Sequence, residues 1–397
     1  MKTASAALFL IGIASGLGSC GNDARLPAVP LALAAESMPL DEETIRFYPD
    51  RDGAALAKLA SDTRKRAARA GRFIPKGGRP VQPTTFLAIS GGGDDGAFGA
   101  GLLLGWSARG DRPKFDLVTG ISTGALSAPF AFLGSEYDDE LKGVYTRTSA
   151  EDIFEKRNFL AAINDDAMAD TSPLRDLISR FVTRKLIQRI AEEYGKGRLL
   201  LIMTTNLDQS RPVIWNIGVI AASGKPESRN LIIEVLRASA AIPGVFPPVM
   251  LDVTINGKHF EEMHVDGGVV AQAFLYPPTL SLRGIGKANP DQKRVAYIIR
   301  NGRLFRPEES VRRQTLSIAQ QAISTMTATS GVNDMYRLYM TAKRDGVGYN
   351  LAFIEPDFSE PYKGPFDRGY MNKLFEYGYS KARTGYNWHT SPPGYAE

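Results

Sequence analysis

The chain has 397 residues, of which 43% are hydrophobic, so it is long enough to bury a substantial core in one large domain or two. Its formal net charge is +5, and this mild excess is spread along the chain instead of forming a long basic block with interleaved aromatic residues. That distribution argues against a nucleic-acid-binding protein. A modest positive charge would slightly favour contact with an anionic membrane surface.

The first residues have the pattern of a secretory signal. A basic start at Lys2 is followed by small and apolar residues from 4 to 19. This stretch is shorter than the roughly 20 residues that a membrane-spanning helix needs, so we predict a signal peptide over residues 1–19. It ends in residues 17–20 (LGSC), which resemble a bacterial lipoprotein box.

Cys20 is the only cysteine of the chain, so no internal disulfide can form. We expect Cys20 to be lipidated and to become the first residue of the mature protein. The alternative is an ordinary signal with an incidental cysteine. Gly21 follows Cys20 where an aspartate would alter sorting, which resembles the pattern for the outer membrane. The expected location is therefore the bacterial outer membrane, reached by export and held by the lipid anchor.

Residues 20–80 are predicted to form a lipid-anchored tether and one helix. Residues 21–38 are rich in Ala, Pro and Leu, which is typical of a tether. The helix is expected over residues 52–71, with Asp52 as a possible N-cap. Residues 76–80 form the predicted linker into the core domain.

The core of the sequence contains two buried strands that each break sharply into a helix over glycines. Residues 86–89 (FLAI) run into 90–96 (SGGGDDG), and residues 115–119 run into 120–124 (GISTG). Helix N-termini offer unpaired N–H donors, so the first turn would suit an anion, either a phosphate or the oxyanion of acyl transfer. The second turn is the G-x-S-x-G pattern, which exposes the Ser122 hydroxyl on a tight bend.

Each turn, taken alone, is also compatible with a different role. Residues 91–96 fit the dinucleotide fingerprint G-x-G-x-x-G, which requires an acidic residue at the end of the second strand. Here Asp116 stands near the start of that strand and Ser122 follows its end, which argues against nucleotide binding. The glycines would otherwise serve only the close packing of helix on strand.

A third motif decides between these alternatives. Residues 264–268 (HVDGG) end an apolar and aromatic strand in Asp-Gly-Gly. The order of the three motifs resembles that of the patatin-like phospholipase family, which has a glycine-rich loop, then G-x-S-x-G, and then a late D-G-G/A. Residues 238–248 also resemble the segment that precedes the aspartate in that family. The resemblance covers roughly residues 86–277.

The resemblance implies an α/β fold, a three-layer α/β/α patatin-like domain with a mostly parallel central sheet. We place this catalytic domain at residues 81–300 and expect residues 301–397 to form a helical part packed on it. The family uses a Ser–Asp dyad, so the resemblance implies Ser122 as the nucleophile and Asp266 as the base. The implied oxyanion hole consists of the N–H groups of Gly91, Gly92 and Gly93, and the supporting motif glycines are Gly96, Gly120, Gly124, Gly267 and Gly268.

One departure from the family pattern lies in the glycine-rich loop. Family members usually carry Arg or Lys before the last glycine of this motif, where this chain has Asp95 with Asp94 beside it. Two carboxylates beside an anion site are unfavourable unless they face solvent or pair with a cation. This feature favours the alternative of a catalytically inactive lipid- or phosphate-binding lipoprotein on the same scaffold.

Two further side chains are weaker candidates for the site. Asp208 follows the apolar strand predicted over residues 198–205, and we rank it below Asp266 because it has no glycine pair. His264 lies two residues before Asp266, so both side chains point to the same face of an extended strand. We expect His264 to be structural.

The C-terminal part is predicted to contain a long helix within residues 307–343. Its apolar stripe, which includes Ile318, Ile323, Met326 and Met335, is expected to pack in the core rather than to form a lipid groove.

The expected function is hydrolysis of a carboxylic ester in a lipid, of phospholipase A or lysophospholipase type, through an acyl-enzyme. No cofactor is expected, and the scattered histidines show no metal-ligand spacing. The expected partners are a lipid substrate and the membrane, with no nucleic acid. The acyl chain, the headgroup and the oligomeric state are not specified by the sequence.

Overall fold

The computed structural model describes residues 25–395, except residues 35, 43, 73–81, 157–168, 284, 286–291 and 306–309. The predicted signal peptide, Cys20 and the linker at residues 76–80 lie outside the described residues. No helix in the described part is long and apolar enough to cross a membrane.

Ten α-helices lie in the described residues. The two that follow the glycine turns consist mainly of small and apolar residues and are buried along most of their length, because they are packed against the sheet. The helices are α1 (Gly53–Arg69), α2 (Gly96–Arg109), α3 (Thr123–Leu133), α4 (Asp138–Thr146), α5 (Ser172–Phe181), α6 (Arg184–Gly195), α7 (Ile217–Ala222), α8 (Ser228–Ser239), α9 (Thr315–Asp345) and α10 (Arg368–Thr384).

Nine of the eleven strands in the described residues form one sheet. Its path is β1-β7-β6-β3-β2-β10-β11, and the hairpin of β8 and β9 joins it through β6. The strands are β1 (Arg46–Phe47), β2 (Thr84–Ile89), β3 (Leu117–Gly120), β4 (Glu155–Lys156), β5 (Ala169–Asp170), β6 (Leu199–Asn206), β7 (Arg211–Asn216), β8 (Val249–Ile255), β9 (Lys258–Asp266), β10 (Arg294–Arg300) and β11 (Gly348–Phe353).

The centre of the sheet is parallel and covered on both faces. Strands β6, β3, β2, β10 and β11 run parallel, whereas β1, β7, β8 and β9 are added through antiparallel pairs. Successive residues of β2 point to opposite faces, as strand geometry requires. Leu87 and Ile89 lie in an apolar cluster with α2, α3 and α10, whereas Phe86 and Ala88 lie in one with α1 and α9. This confirms the predicted three-layer α/β/α fold with a mostly parallel sheet.

The Asn256-Gly257 pair between two apolar runs predicts a β-hairpin, and the structure confirms it between β8 and β9. Asn256 and Gly257 form its two-residue turn and both have positive φ, 51° and 75°. This is the backbone that an Asn-Gly turn favours between twisted strands.

Two helix predictions need correction. The helix-start pattern at residues 171–173 predicts one helix that runs to about Tyr194. The structure instead has two helices, α5 and α6, and the Thr183 hydroxyl caps α6 by accepting a hydrogen bond from the N–H of Leu186 at 3.2 Å. Asp52 makes no side-chain capping bond to α1. Its carboxylate instead accepts from the N–H of Tyr48 at 2.8 Å, which holds the preceding turn.

The segments on either side of the predicted catalytic domain are continuous with it. Ala28 pairs with Glu261 of β9 and Val29 is buried, so this part of the predicted tether is packed on the sheet. At the other end, β11 pairs with β10 over six residues. The expected boundary at residue 300 therefore runs through a single sheet.

The apolar stripe of α9 is only half buried, which corrects the prediction of a core stripe. Met335 and Leu338 belong to the core, but Ile318, Ile323 and Met326 are exposed. Apolar residues recur along both halves of the helix, but only the half from Gly331 onward is packed on the sheet.

A cavity of about 160 Å³ lies between α1 and the sheet. Its walls are mainly apolar and include Leu56, Leu59, Phe86 and Leu117. Thr84 and Leu199, at the starts of β2 and β6, also line it. The cavity is therefore remote from the opposite, C-terminal edge of the parallel strands.

A buried ion pair joins the N-terminal segment to β9. Two nitrogens of Arg46 contact the two carboxylate oxygens of Glu262 at 2.5 and 2.9 Å, and both side chains are almost fully buried. Burial alone would raise the pKa of Glu262, but Arg46 and His264 outweigh it and hold that pKa well below its usual range. Removing one partner would leave an uncompensated buried charge.

We expect Glu262→Gln to lower the free energy of unfolding by about 3–5 kcal/mol, because Arg46 would remain buried without its counter-ion. The matched control is Glu360→Gln, which breaks the exposed pair with Lys373 and should cost no more than about 1 kcal/mol. Urea unfolding measures both values. Equal effects of the two substitutions would contradict the structural role given to Glu262.

Candidate active site

Ser122 stands on a sharp turn between β3 and α3. Its φ of 55° and ψ of −127° are unusual for a residue with a side chain, and the surrounding contacts must hold it there. The turn is possible because its flanking glycines are in close contact with backbone. A Cβ at Gly120 would lie 2.5 Å from the carbonyl oxygen of Gly124, and one at Gly124 would lie 2.3 Å from that of Ile89. The pattern G-x-S-x-G is therefore a steric requirement of this turn.

Ser239, the last residue of α8, connects this turn to the neighbouring strand. Its buried hydroxyl accepts a hydrogen bond from the N–H of Ser122 at 3.0 Å and donates one to the carbonyl of Met203 in β6 at 2.7 Å. It is a positioning residue that the sequence reasoning missed. The only signal was its place within residues 238–248, the segment that resembles the family.

Asp266 reaches Ser122 because β9 occupies the place where β3 ends. The last residue of β3, Gly120, pairs with Ile202 of β6. Further along β6, Thr204 pairs with Asp266, while β7 occupies the other edge of β6. Because β9 must then lie on the same edge of β6 as β3, Asp266 lies just beyond the end of β3, beside the Ser122 turn.

The Asp266 carboxylate is buried and makes few compensating contacts. Burial raises its pKa to about 7, against the lowering effect of hydrogen bonds from the Ser122 hydroxyl and the N–H of Gly268. The second of these bonds measures 2.7 Å. A carboxylate with this pKa is a suitable acceptor for a hydroxyl proton near neutral pH.

The glycine-rich loop lies against the same turn. A Cβ at Gly91 would lie 3.2 Å from the Cβ of Ser122. Gly93 has a φ of 59°, and a Cβ at Gly92 would lie 1.9 Å from the carbonyl oxygen of Asn301, so both positions require glycine.

The N–H groups of this loop do not all remain available. The N–H of Gly91 donates to the carbonyl of Gln272 at 3.0 Å, so it is already engaged. The N–H groups of Gly92 and Gly93 make no hydrogen bond to another described residue. Of the three glycines predicted to form an oxyanion hole, only Gly92 and Gly93 therefore have an N–H group available to a ligand.

The loop is held from β10 and the residue that follows it. Asn301 donates its main-chain N–H to the Ser90 hydroxyl at 2.8 Å and its side-chain amide to the Ser90 carbonyl at 2.9 Å. Arg300 donates to the carbonyl of Gly91 at 3.3 Å. Sequence reasoning missed both residues, although a polar pair at the end of a buried strand was a usable signal.

The two carboxylates of the loop are turned toward the C-terminal segment. Asp94 accepts from the N–H of Phe366 at 3.0 Å, and Asp95 accepts from the Tyr370 hydroxyl at 2.9 Å. Burial and the neighbouring Asp94 raise the pKa of Asp95 to about 6, although Arg303 and Arg300 act against this shift. Both carboxylates are thus hydrogen-bonded to the C-terminal segment.

Gln272 and Asp334 hold the segment that follows the Asp-Gly-Gly motif. The Gln272 side chain donates to the carbonyl of Gly268 at 2.8 Å. Asp334 of α9 accepts from the N–H groups of Gln272 and Ala273 at 2.5 and 3.2 Å. The same segment supplies the carbonyl that engages Gly91, so it links the two glycine motifs.

The other candidates have different roles. His264 is fully buried between Thr204 and Glu262, and burial lowers its pKa. Asp208 is paired with Arg25 at 2.5 Å and accepts from the N–H of Met263. Both side chains therefore support β9 and its neighbours, as expected for His264.

Asp116 and the remaining histidines lie elsewhere. Asp116 contacts Arg72 and accepts from the N–H of Thr85 at 2.7 Å, at the start of the strands. His389 contacts Glu355 at 3.0 Å, and His259 is exposed on the hairpin. Within the part of the chain that the structure describes, no group of three or more His, Cys, Asp or Glu side chains is arranged to hold a metal ion.

Comparison with known proteins gives one family model that matches this chain. Residues 87–277 match the model of the patatin-like phospholipase family. The cUMP-AMP-activated phospholipase of Escherichia coli is 29% identical over 193 residues, which cover 47% of this chain and 54% of the relative. This chain thus matches only about half the length of that curated relative.

Two solved structures are also similar. VipD from Legionella pneumophila has a TM-score of 0.32 and 13% identity, with 77% of this chain and 67% of VipD covered. Human GIVD cytosolic phospholipase A2 has a TM-score of 0.30 and 10% identity, with coverages of 72% and 52%. These scores are too low to support an argument about the site. Residues 87–277, which contain all three motifs, are therefore the part of this chain that is similar to a patatin-like phospholipase domain.

Proposed function

We propose that this protein is a serine acyl hydrolase that cleaves carboxylic esters of lipids through a Ser122–Asp266 dyad. The observation that carries the proposal is the register of β9 on β6, which sets a buried carboxylate of raised pKa beside a strained serine. The family match and the phospholipase relative support lipid hydrolysis. The dyad and the acyl-enzyme are our own assignment.

The proposed reaction has two stages. Asp266 accepts the proton of the Ser122 hydroxyl while the oxygen attacks the ester carbonyl carbon. The negative charge moves to the carbonyl oxygen, where the N–H groups of Gly92 and Gly93 stabilise it. The tetrahedral intermediate collapses, and the leaving alcohol takes the proton from Asp266. Water then attacks the acyl-enzyme with Asp266 again as the base, which releases the fatty acid and restores Ser122.

The alternative of an inactive binding protein has less support from the structure than the hydrolase has. That alternative rested on Asp94 and Asp95 beside the proposed anion site. Their hydrogen bonds to Phe366 and Tyr370 direct both carboxylates into other contacts. We therefore retain the hydrolase as the single proposal.

We further propose that the chain is exported and anchored at the outer membrane through lipidated Cys20. The basis is the sequence of residues 1–20 alone. Such an anchor would keep the enzyme close to its lipid substrate.

Ser122→Ala and Asp266→Asn should each lower kcat/KM for a lipid ester by at least about 1,000-fold, because either change removes the activated nucleophile. Mass spectrometry of released fatty acids from a panel of acyl esters measures this loss. The matched controls are Ser127→Ala and Asp208→Asn. Ser127 is a buried serine in α3, the helix that follows the turn. Both controls should remain active, and the unfolding temperature of each variant shows whether a loss of activity reflects a loss of the fold. A folded Ser122→Ala protein with normal activity would overturn the proposal.

The activity should rise with pH through about 7, the pKa of Asp266. The ionised carboxylate is the base, so kcat/KM should fall about tenfold for each pH unit below this value and level off above it. A stopped assay with a soluble ester over this range measures the profile. A flat profile from pH 5 to 8 would contradict the role of Asp266.

The same ionisation should change stability in the opposite direction. Because the pKa is raised in the folded state, the folded protein holds a proton that the unfolded chain releases above its ordinary value near 4. The contribution of Asp266 to stability should therefore be lost as the pH rises through about 7. Asp266→Asn should remove this part of the pH dependence of unfolding.

A further inference from the structure

Helix α9 has two halves with different surroundings. From Gly331 onward it packs on the sheet, with Met335 and Leu338 in the core. None of the described side chains in residues 315–330 is buried. The exposed fractions of Ile318, Ile323 and Met326 are 54%, 57% and 68%. We call residues 315–330 the uncharged arm.

The C-terminal end of the arm, at residue 330, lies next to the candidate active site. Asp334, one turn after the arm, holds the N–H of Gln272, and a Cβ at Gly331 would lie 2.7 Å from the Arg300 guanidinium. The C-terminal end of α9 lies near Leu282, whose N–H donates to Asp345 at 3.2 Å. The arm therefore continues past the edge of the sheet that carries Ser122, and 16 helical residues extend about 24 Å.

The composition of the arm is unusual for an exposed helix. The chain as a whole is 23% charged, but residues 315–330 contain no charged side chain. At about 100° per residue, Ile318, Ile323 and Met326 fall within about 140° of the helix circumference. The opposite side carries Ser, Thr and Gln. An amphipathic helix with this pattern has an apolar side available for burial but no charges to direct an ion-paired protein contact.

Other exposed residues on this edge have matching properties. Val269 and Val270, directly after the Asp-Gly-Gly motif, and Phe305 are exposed apolar side chains. Arg312 and Arg313 are exposed just before the arm, and the sequence has no acidic residue from 310 to 333. Glu308 and Glu309 precede this stretch and lie outside the described residues. The region therefore combines exposed apolar side chains with local positive charge.

We propose that the uncharged arm inserts its apolar side into the surface of an anionic phospholipid bilayer and holds the Ser122 edge of the sheet against the lipid. The proposal rests on the proposed function, since that bilayer would supply the acyl ester. The arm is shorter than the roughly 20 residues of a membrane-spanning helix, so it lies in the interface. Arg312 and Arg313 face anionic headgroups there.

A labelling experiment on the full chain tests this insertion. Since Cys20 is the only cysteine, a chain with Cys20→Ser accepts single new cysteines for an environment-sensitive fluorophore. The label is placed by Ile323→Cys or Met326→Cys on the apolar side, and by Gln321→Cys on the polar side. Met340→Cys is the matched control, because Met340 is 52% exposed on the same helix but outside the arm. All variants also carry Ser122→Ala, so that binding is measured without hydrolysis.

The probe surface is a vesicle of phosphatidylethanolamine and phosphatidylglycerol that carries a quencher on its acyl chains. Labels at 323 and 326 should shift to shorter wavelength and be quenched when vesicles are added, with a smaller change at 321 and none at 340. Equal quenching at 326 and 340, or no quenching at any position of the arm, would overturn the proposal. A shift that depends on protein concentration without vesicles would also overturn it, since a second copy would then cover the arm.

The failure of this proposal is distinguishable from that of the proposed function. Insertion of the arm by a chain that hydrolyses no ester even with Ser122 present would contradict the hydrolase alone. Hydrolysis of soluble esters by a chain whose arm stays in water would contradict the insertion alone.

Discussion

The site depends on one short antiparallel pairing, the contact of Thr204 to Asn206 in β6 with the end of β9. Strand β3 stops early, and its edge of β6 is left open for β9 beyond Ile202. Because β9 runs antiparallel to β6, its last residue, Asp266, lies beside the Ser122 turn. The buried pair of Arg46 and Glu262 fixes β9 only a few residues earlier. The carboxylate is thus placed by the core of the protein rather than by a flexible loop.

The burial that positions Asp266 also determines its chemistry. A carboxylate removed from water with only two hydrogen-bond donors is costly to ionise, which is why its pKa is raised. In the proposed mechanism, the same low-dielectric surroundings would strengthen the interaction of Gly92 and Gly93 with a developing negative charge. The buried acid and the pair of main-chain donors would then be complementary parts of one site.

The sequence predicted the features that depend on local backbone geometry. The strand-to-glycine turns at Ser90 and Gly120 and the hairpin at Asn256 follow from residue types that only certain conformations accept. The layer order was instead implied by the resemblance to the family. The roles of Ser239 and Asn301 were not predictable, because each arises from contacts between segments far apart in the chain. The loss of Gly91 as a free donor has the same origin, since its acceptor is the carbonyl of Gln272. The exposure of Ile323 could not be predicted for a related reason. The spacing of apolar residues shows that a helix has an apolar side, but not which part of the protein covers that side.

The central claim is that Asp266 activates Ser122, and reaction with a fluorophosphonate probe followed by peptide mass spectrometry tests it most directly. The account predicts a single adduct on Ser122 that persists in Asp208→Asn and is lost or greatly slowed in Asp266→Asn. An adduct on another serine, or equal labelling of Ser122 in both variants, would contradict it.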